Sequence, residues 1–330
     1  MKKRILIDCD PGHDDMVAIM LALASPELEL AGVTTVAGNQ TGEKTFRNAL
    51  RTLTLIGRTD IPVARGADRP LLRPLTVAPE IHGVSGLDGA PLPEPGFSGT
   101  GRHAVDVIIE TIMGSREPVT LVPTGPLTNV ALALLKEPAI AGKVERIVLM
   151  GGAVYDSNIS PAAEFNIFVD PEAARVVFRC GAPIVMVGLD VTNKARLSFG
   201  EIDEMASWTG AVSRVVAPLL RFFANTNREV FGIPGAPLHD ALAVAHLVRP
   251  DVIRTKKMNV EIETAGEFTS GRTVADVYGI SGRAANAEVA LEVDQPAFKE
   301  MIFSAIRALD AAAVGSAAGS SASAASASAR

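Results

Sequence analysis

Two cysteines in 330 residues, Cys9 and Cys180, are too few for a disulfide framework or a zinc cluster. Positive charge is also in short supply. The formal net charge is −6 and the isoelectric point about 5.5, which argues against a nucleic-acid polymer or an anionic membrane surface as partner. No apolar run is long enough to cross a bilayer: Met16–Ala24, an early candidate, is far too short. Met1–Arg4 is basic like the start of a signal peptide, but Asp8 and Asp10 follow only three apolar residues, so no apolar signal region forms. These absences leave a soluble cytoplasmic protein as the expectation. With 48% hydrophobic residues, the chain has ample material for a deep core.

What is present is concentrated near the start. Asp8-Cys9-Asp10-Pro11-Gly12-His13-Asp14-Asp15 places four carboxylates in eight residues, directly after the apolar run Ile5-Leu6-Ile7. Pro11 and Gly12 break regular structure, and an apolar stretch then runs to Ala24, so strand, tight turn and helix is the natural order. Crowded like charges repel unless a cation or a substrate hydroxyl compensates them. Hard cations want oxygen ligands, so the loop is a candidate metal site. Its alternative is a solvated turn. Cys9 sits among these acids, which raise rather than lower a thiol pKa, and it reads as a small residue at a strand end.

Strand and helix patterns alternate along the chain. Residues 3–7, 29–36, 61–63, 118–123, 146–150 and 183–189 read as buried strands. Residues 16–24, 43–57, 102–113, 128–136 and 171–179 read as helices. This rhythm predicts an α/β fold, an open and mostly parallel sheet with helices on both faces. Residues 258–263, 272–276 and 288–292 predict short, antiparallel C-terminal strands. Phe298, Ile302, Ala305, Ile306 and Leu309 mark one face of a last helix. One domain is expected over residues 1–310, followed by an Ala/Ser/Gly tail over 311–330 expected to be disordered. The Pro- and Gly-rich segment 70–101, which holds His82, reads as an active-site loop.

In such a sheet, ligands bind beyond the carboxyl ends of the strands. The polar residues expected at those ends are Asp8, Asp10, Asp14 and Asp15, then Gly38-Asn39, Pro123-Thr124-Gly125-Pro126, Met150-Gly151-Gly152, Glu164-Phe165-Asn166 and His239-Asp240. In this order and form the motifs resemble the inosine–uridine-preferring nucleoside hydrolase family over about residues 3–310. The resemblance implies hydrolysis of the N-glycosidic bond of small-molecule ribonucleosides to base and ribose, with Ca²⁺ as cofactor. It implies a calcium site of Asp10, Asp15, the Thr124 carbonyl and Asp240, with Asp10 also taking a proton from the attacking water. Asp14 and Asn39 would grip ribose hydroxyls, Glu164 and Asn166 would hold its 3′ and 5′ sides, and Met150 would pack beneath it. His239 matches the proposed acid, His82 a histidine near the base, and Phe165 a stacking candidate. A homodimer or homotetramer is implied as well.

The residue types suit that chemistry on their own terms. Glycosidic cleavage builds positive charge on the ribose ring, which carboxylates and amide oxygens favour. The departing base gains electrons and is helped by a proton donor, a role that suits histidine near neutral pH. Residues 221–237 are the expected base-recognition segment; they contain no tyrosine, the only two being Tyr155 and Tyr278. Some members of the family it resembles place a tyrosine there to help protonate the base, so the resemblance implies a broad or pyrimidine-tolerant hydrolase here. Simpler roles stand beside these: Asp240 as a helix cap, Thr128 and Asn129 as helix-start residues, Phe168 in the core, His103 and His246 as structural residues on apolar helices, and His13 as a metal ligand or none. A nucleoside sensor without turnover and an aspartyl-phosphate phosphatase are the rival functions.

Overall fold

The first strand shows why the chain layers as it does. In β1 (Lys3–Cys9), Ile5, Ile7 and Cys9 pack into one hydrophobic core, while Leu6 joins a second core on the other face of the sheet. Alternate side chains of a strand point to opposite faces, so a continuous apolar run is buried on both. The computed structural model describes residues 2–327 along the backbone and side chains through residue 313. The expected tail over 311–330 therefore falls, from residue 314 on, outside the residues whose side chains are described.

Five strands follow β1 in the βα rhythm: β2 (Leu28–Thr35), β3 (Val63–Arg65), β4 (Val119–Pro123), β5 (Arg146–Met150) and β6 (Ile184–Val187). The short pair β7 (Arg196–Leu197) and β8 (Ala236–Pro237) comes next, then β9 (Ile253–Met258), β10 (Val260–Ile262), β11 (Thr273–Ala275) and β12 (Ala287–Val293). The main sheet has eight strands in the order β3-β2-β1-β4-β5-β6-β12-β9, parallel except for β9 against β12. The parallel α/β architecture is as predicted. The strand predicted at 61–63 starts instead at Val63; Pro62 has no N–H to give to a ladder, although its carbonyl accepts Val33 N–H. At the C-terminus β10 and β11 form a small antiparallel pair of their own, while β12 joins the main sheet, parallel to β6 on one side and antiparallel to the edge strand β9 on the other.

The helices are α1 (His13–Ala24), α2 (Gly42–Leu55), α3 (Pro79–His82), α4 (Ala104–Gly114), α5 (Thr128–Lys136), α6 (Ile140–Lys143) and α7 (Phe165–Val169). Then come α8 (Pro171–Phe178), α9 (Leu189–Thr192), α10 (Phe199–Ala206), α11 (Ser213–Phe231), α12 (His239–Val248) and α13 (Gln295–Ala327). Apolar faces of α1, α2, α11, α12 and α13 fill one core, and those of α4, α5 and α8 fill the other. Phe298, Ile302, Ala305, Ile306 and Leu309 are all buried on α13, as their spacing predicts. No described helix is long and apolar enough to cross a membrane.

The sheet order sets the place of the site. From β1 the chain proceeds outward to β2 and β3, then returns to the far side of β1 and proceeds outward again through β4, β5 and β6. The crevice beyond the carboxyl ends of β1 and β4 is thus the topological switch point, where ligands of open α/β sheets bind.

Candidate active site

The loop after β1 is closed by its neighbours. Asp15, in the first turn of α1, accepts the Gly12 N–H with Oδ2 at 2.9 Å, which fastens the turn to the helix start. Its Oδ1 accepts the Thr124 hydroxyl at 2.8 Å, tying the start of α1 to the loop after β4. Asp10 Oδ2 accepts the Asn39 N–H at 2.6 Å. A Cβ at Gly38 would stand 2.1 Å from that oxygen, and one at Gly125 would stand 2.6 Å from Asp10 Oδ1. Both glycines are therefore required for two loops to close on one carboxylate.

Asp14, Asp15 and Asp240 bring carboxylate oxygens within 4.8 Å of one another, all buried. The expected set had Asp10 rather than Asp14; Asp10 lies outside this group of three, with Oδ2 held by the Asn39 N–H, yet is close enough to raise the pKa of Asp240. Burial is the main force on all four acids; mutual repulsion adds to it at Asp10, Asp14 and Asp240, while hydrogen bonds oppose it at Asp15. Asp14 is pushed up to about 8, Asp10 and Asp240 well above the ordinary carboxylate range, and Asp15 upward. Asp10 Oδ1 and Asp14 Oδ1 are buried with no hydrogen-bond partner among the described residues. Unpaired buried carboxylate oxygens in an all-oxygen cluster are the donor set a hard divalent cation needs. The Thr124 carbonyl, the fourth expected ligand, accepts Asn166 Nδ2 at 2.7 Å and lines the same cavity.

Around this cluster lies a cavity of about 600 Å³, mouth included. Asn39 spends its Nδ2 on the Asp10 carbonyl and Asp15 Oδ2, and Asn166 spends its own on the Thr124 and Met150 carbonyls. Their amide oxygens are left as acceptors, and Met150 and Phe165 line the floor. Glu164 is the N-cap of α7 and accepts N–H bonds from Gly152, Asn166 and Ile167. Burial outweighs those bonds and pushes its carboxyl up to about 7. Asn158, which the sequence reading did not single out, accepts Phe165 N–H with Oδ1 and keeps Nδ2 as a donor at the rim.

The other end of the cavity is aromatic. His82 and His239 line it with Ile81, Ile159, Phe223, Asn227 and Phe231. His239 Nδ1 lies 2.8 Å from Thr192 Oγ1, and burial draws the ring's pKa down to about 4. His82 Nδ1 lies 3.3 Å from the His13 N–H and 3.2 Å from His13 Nδ1, while His13 Nε2 meets the Asp88 carbonyl at 2.8 Å. His13 is thus no metal ligand; it stacks against His82 and Phe223 behind the cavity wall. The three histidines are neutral near pH 7, because burial lowers each pKa. His103 differs from the expectation of a residue within a helix: it is the exposed N-cap of α4.

The remaining polar residues are structural. Asn129 joins Asp8, the Thr35 carbonyl and Ala67 N–H at the start of α5. Thr128 donates to Asp170, which caps α8. Cys9 is buried, with Sγ 3.5 Å from the Thr34 carbonyl, and its thiol pKa is raised well above the ordinary range.

The profile of the inosine-uridine preferring nucleoside hydrolases matches residues 5–300. The chain belongs to that family. This nucleoside hydrolase is 51% identical over 299 residues to the pyrimidine-specific ribonucleoside hydrolase RihA of Escherichia coli O127:H6, covering 90% of this chain and 96% of the relative. The RihA of Escherichia fergusonii is equally similar. Among solved structures, the purine-preferring ribonucleoside hydrolase of Gardnerella vaginalis superposes with a TM-score of 0.88 at 35% identity, covering 93% of this chain and 99% of that one. An inosine-guanosine nucleoside hydrolase follows at 0.85 and 29%, with the same coverage.

Glu164 ties the site to pH. A carboxyl raised from 4.5 to about 7 is neutral below that pH and anionic above it. Folding stability from its protonated form is therefore full below about 4.5 and is lost as pH rises through about 7. The expected activity runs the other way, because at the sugar side where the family resemblance puts Glu164 its anion would favour positive charge on the ring. With metal saturating, kcat is expected to climb as pH rises through about 7. In Glu164→Gln kcat should be lower and that limb flattened. An unchanged limb in the variant would assign it to another group.

Proposed function

We propose that this hydrolase cleaves pyrimidine ribonucleosides, with a divalent cation, Ca²⁺, held by Asp14, Asp15 and Asp240 beside Asp10 and the Thr124 carbonyl. The observation that carries the reading is the three-carboxylate cluster, whose Asp14 and Asp240 line the same cavity as two buried, neutral histidines. Held there, a cation would neutralise the carboxylates and would supply orientation of the diol and of a more acidic attacking water.

The chain's own residues do the rest. Asp10 takes the water's proton on Oδ1, the oxygen with no partner, while Asn39 N–H pins its other oxygen. Amide oxygens of Asn39 and Asn166 accept ribose hydroxyl hydrogens, because their nitrogens are already committed to the protein. The same acceptors and the Glu164 anion stabilise the positive charge that grows on the ribose ring as the C1′–N bond breaks. His239 donates an N–H to the departing base, and His82 and Phe223 wall in its ring. Water adds to C1′ and the bonding pair leaves with the base as an anion steadied by the His239 N–H; that anion then takes up a proton, matching the one Asp10 removed from the water, so the products are ribose and free base.

Pyrimidine preference rests on the 51% identity to relatives named for it. The absence of tyrosine from 221–237, where purine leaving groups would find a further donor, points the same way. The family resemblance extends the reading to a homodimer or homotetramer in the cytoplasm. The test is ribose release from uridine, cytidine, inosine and adenosine, with Ca²⁺, after chelation, and after Ca²⁺ is restored. Metal-dependent release with kcat/KM for uridine and cytidine at least about tenfold above the purines is expected. A purine preference refutes the base assignment, and undiminished release after thorough chelation refutes the metal.

A further inference from the structure

Thr192 ends the four-residue helix α9 and is wholly buried. Its hydroxyl lies 2.8 Å from His239 Nδ1 and has no other partner among the described residues. A threonine hydroxyl carries one hydrogen to give. With no carbonyl or carboxylate to take it, that hydrogen goes to the imidazole nitrogen. A ring nitrogen that accepts carries no hydrogen of its own, so the neutral ring bears its hydrogen on Nε2.

We propose that Thr192 is a positioning residue that holds His239 as the Nε2–H tautomer, with that N–H turned to the departing base. The proposal rests on His239 as the donor. Its framework is rigid: α9 is fastened at its start by Leu189 N–H to the Gly152 carbonyl at 2.9 Å. The chain entering His239 is fastened by Leu238 N–H to the Ala195 carbonyl at 2.8 Å. Asp190 of the same helix accepts the Val154 and Tyr155 N–H groups, which begin the loop that carries Asn158 and Glu164. One short helix thus sets both the base-side histidine and the loop at the sugar end.

The test uses ¹⁵N-histidine-labelled protein with metal bound, the His239 signals being assigned by their loss in His239→Ala. Wild type should show a pyridine-type Nδ1 and a protonated Nε2. Thr192→Val keeps the side-chain shape and removes the hydroxyl. It should mix the tautomers and lower kcat on uridine about five- to tenfold, with KM little changed. Thr192→Ser should restore both. On p-nitrophenyl β-D-riboside, whose leaving group needs no proton, Thr192→Val should match wild type. A wild-type His239 protonated on Nδ1 overturns the proposal even if the valine variant does not fold. So does an equal loss on both substrates. If His239→Ala turns over uridine normally, the donor assignment fails instead, and the nitrogen spectrum still decides whether Thr192 sets the tautomer.

Discussion

Replacing Asp240 with asparagine will lower ribose release by roughly a thousandfold or more while making the metal-free protein more stable. The two effects have one cause. Asp240 is buried beside Asp14 and Asp15, and its pKa is raised well above the usual 3.8 by burial first and then by the charges of Asp14, Asp15 and Asp10. The folded protein pays for that arrangement only when the carboxylates are ionised. Stability from the protonated form of Asp240 is full below about 3.8 and disappears as pH rises through its raised value. Asparagine removes one of the repelling charges, and its Nδ2 can donate to the neighbouring carboxylates as the carboxyl proton does. The gain in melting temperature after chelation should therefore be largest at mildly alkaline pH and vanish in strong acid. The same change removes one of three clustered anionic oxygens and with it most of the affinity for a divalent cation. Calorimetry of chelated wild type and variant across pH, beside kcat at saturating metal, checks both halves. A variant that loses activity and also melts lower at every pH would show that Asp240 is needed for packing rather than for charge.

The parts of the fold that were legible in the sequence are those in which local pattern and tertiary role agree. Asp8 to Asp15 reads as a strand, a turn and a helix start because Ile5–Ile7, Pro11-Gly12 and the apolar run of α1 each say so, and the structure places its acids at the switch point. The helix α5 and the strand β5 begin and end where the pattern predicts. The nineteen residues of α11 are harder to see. Pro218 lies inside it as the sixth residue, and a proline normally argues against a helix interior because it has no N–H for the bond one turn back. The stripe Val216, Leu219, Leu220, Phe223 and Asn227 has helical spacing and faces inward. Its last member is polar, because there the stripe leaves the core and becomes cavity wall. Strand β9 is concealed for the opposite reason: as an edge strand it exposes Arg254, Thr255, Lys256 and Lys257 between a buried Ile253 and Met258. In the site, Asp10, Asp14 and Asp15 look interchangeable by spacing. What separates them is closure by Gly38 and Gly125, residues of two other loops, and no local pattern reports that. The same holds for His13, whose position in the acidic motif invites a ligand role while its ring turns the other way, onto His82.

Substituting alanine for His239 separates the two ends of the cavity. The loss on uridine should be about 10²–10³ in kcat, the range for a preorganised hydrogen-bond donor aimed at a developing anion. On p-nitrophenyl β-D-riboside the loss should be less than about tenfold, because that leaving group is stable as an anion and asks little of a donor. The distinction follows from the layout. His239 stands at the start of α12 immediately before Asp240, so a general collapse of the metal cluster would depress both substrates alike. Its ring, however, is fastened to Thr192 on α9 rather than to any carboxylate, and truncating it leaves the hydrogen bonds of Asp10 and Asp15 in place. Burial keeps the imidazole neutral down to about pH 4. The wild-type rate should therefore show no loss from His239 deprotonating between about pH 6 and 8. What the base meets is an N–H donor rather than an imidazolium, and a donor of that kind matters most for a leaving group that departs with little other help, as a pyrimidine does. Equal losses on the two substrates would place His239 with the sugar and metal machinery instead, and would leave His82 as the group facing the base.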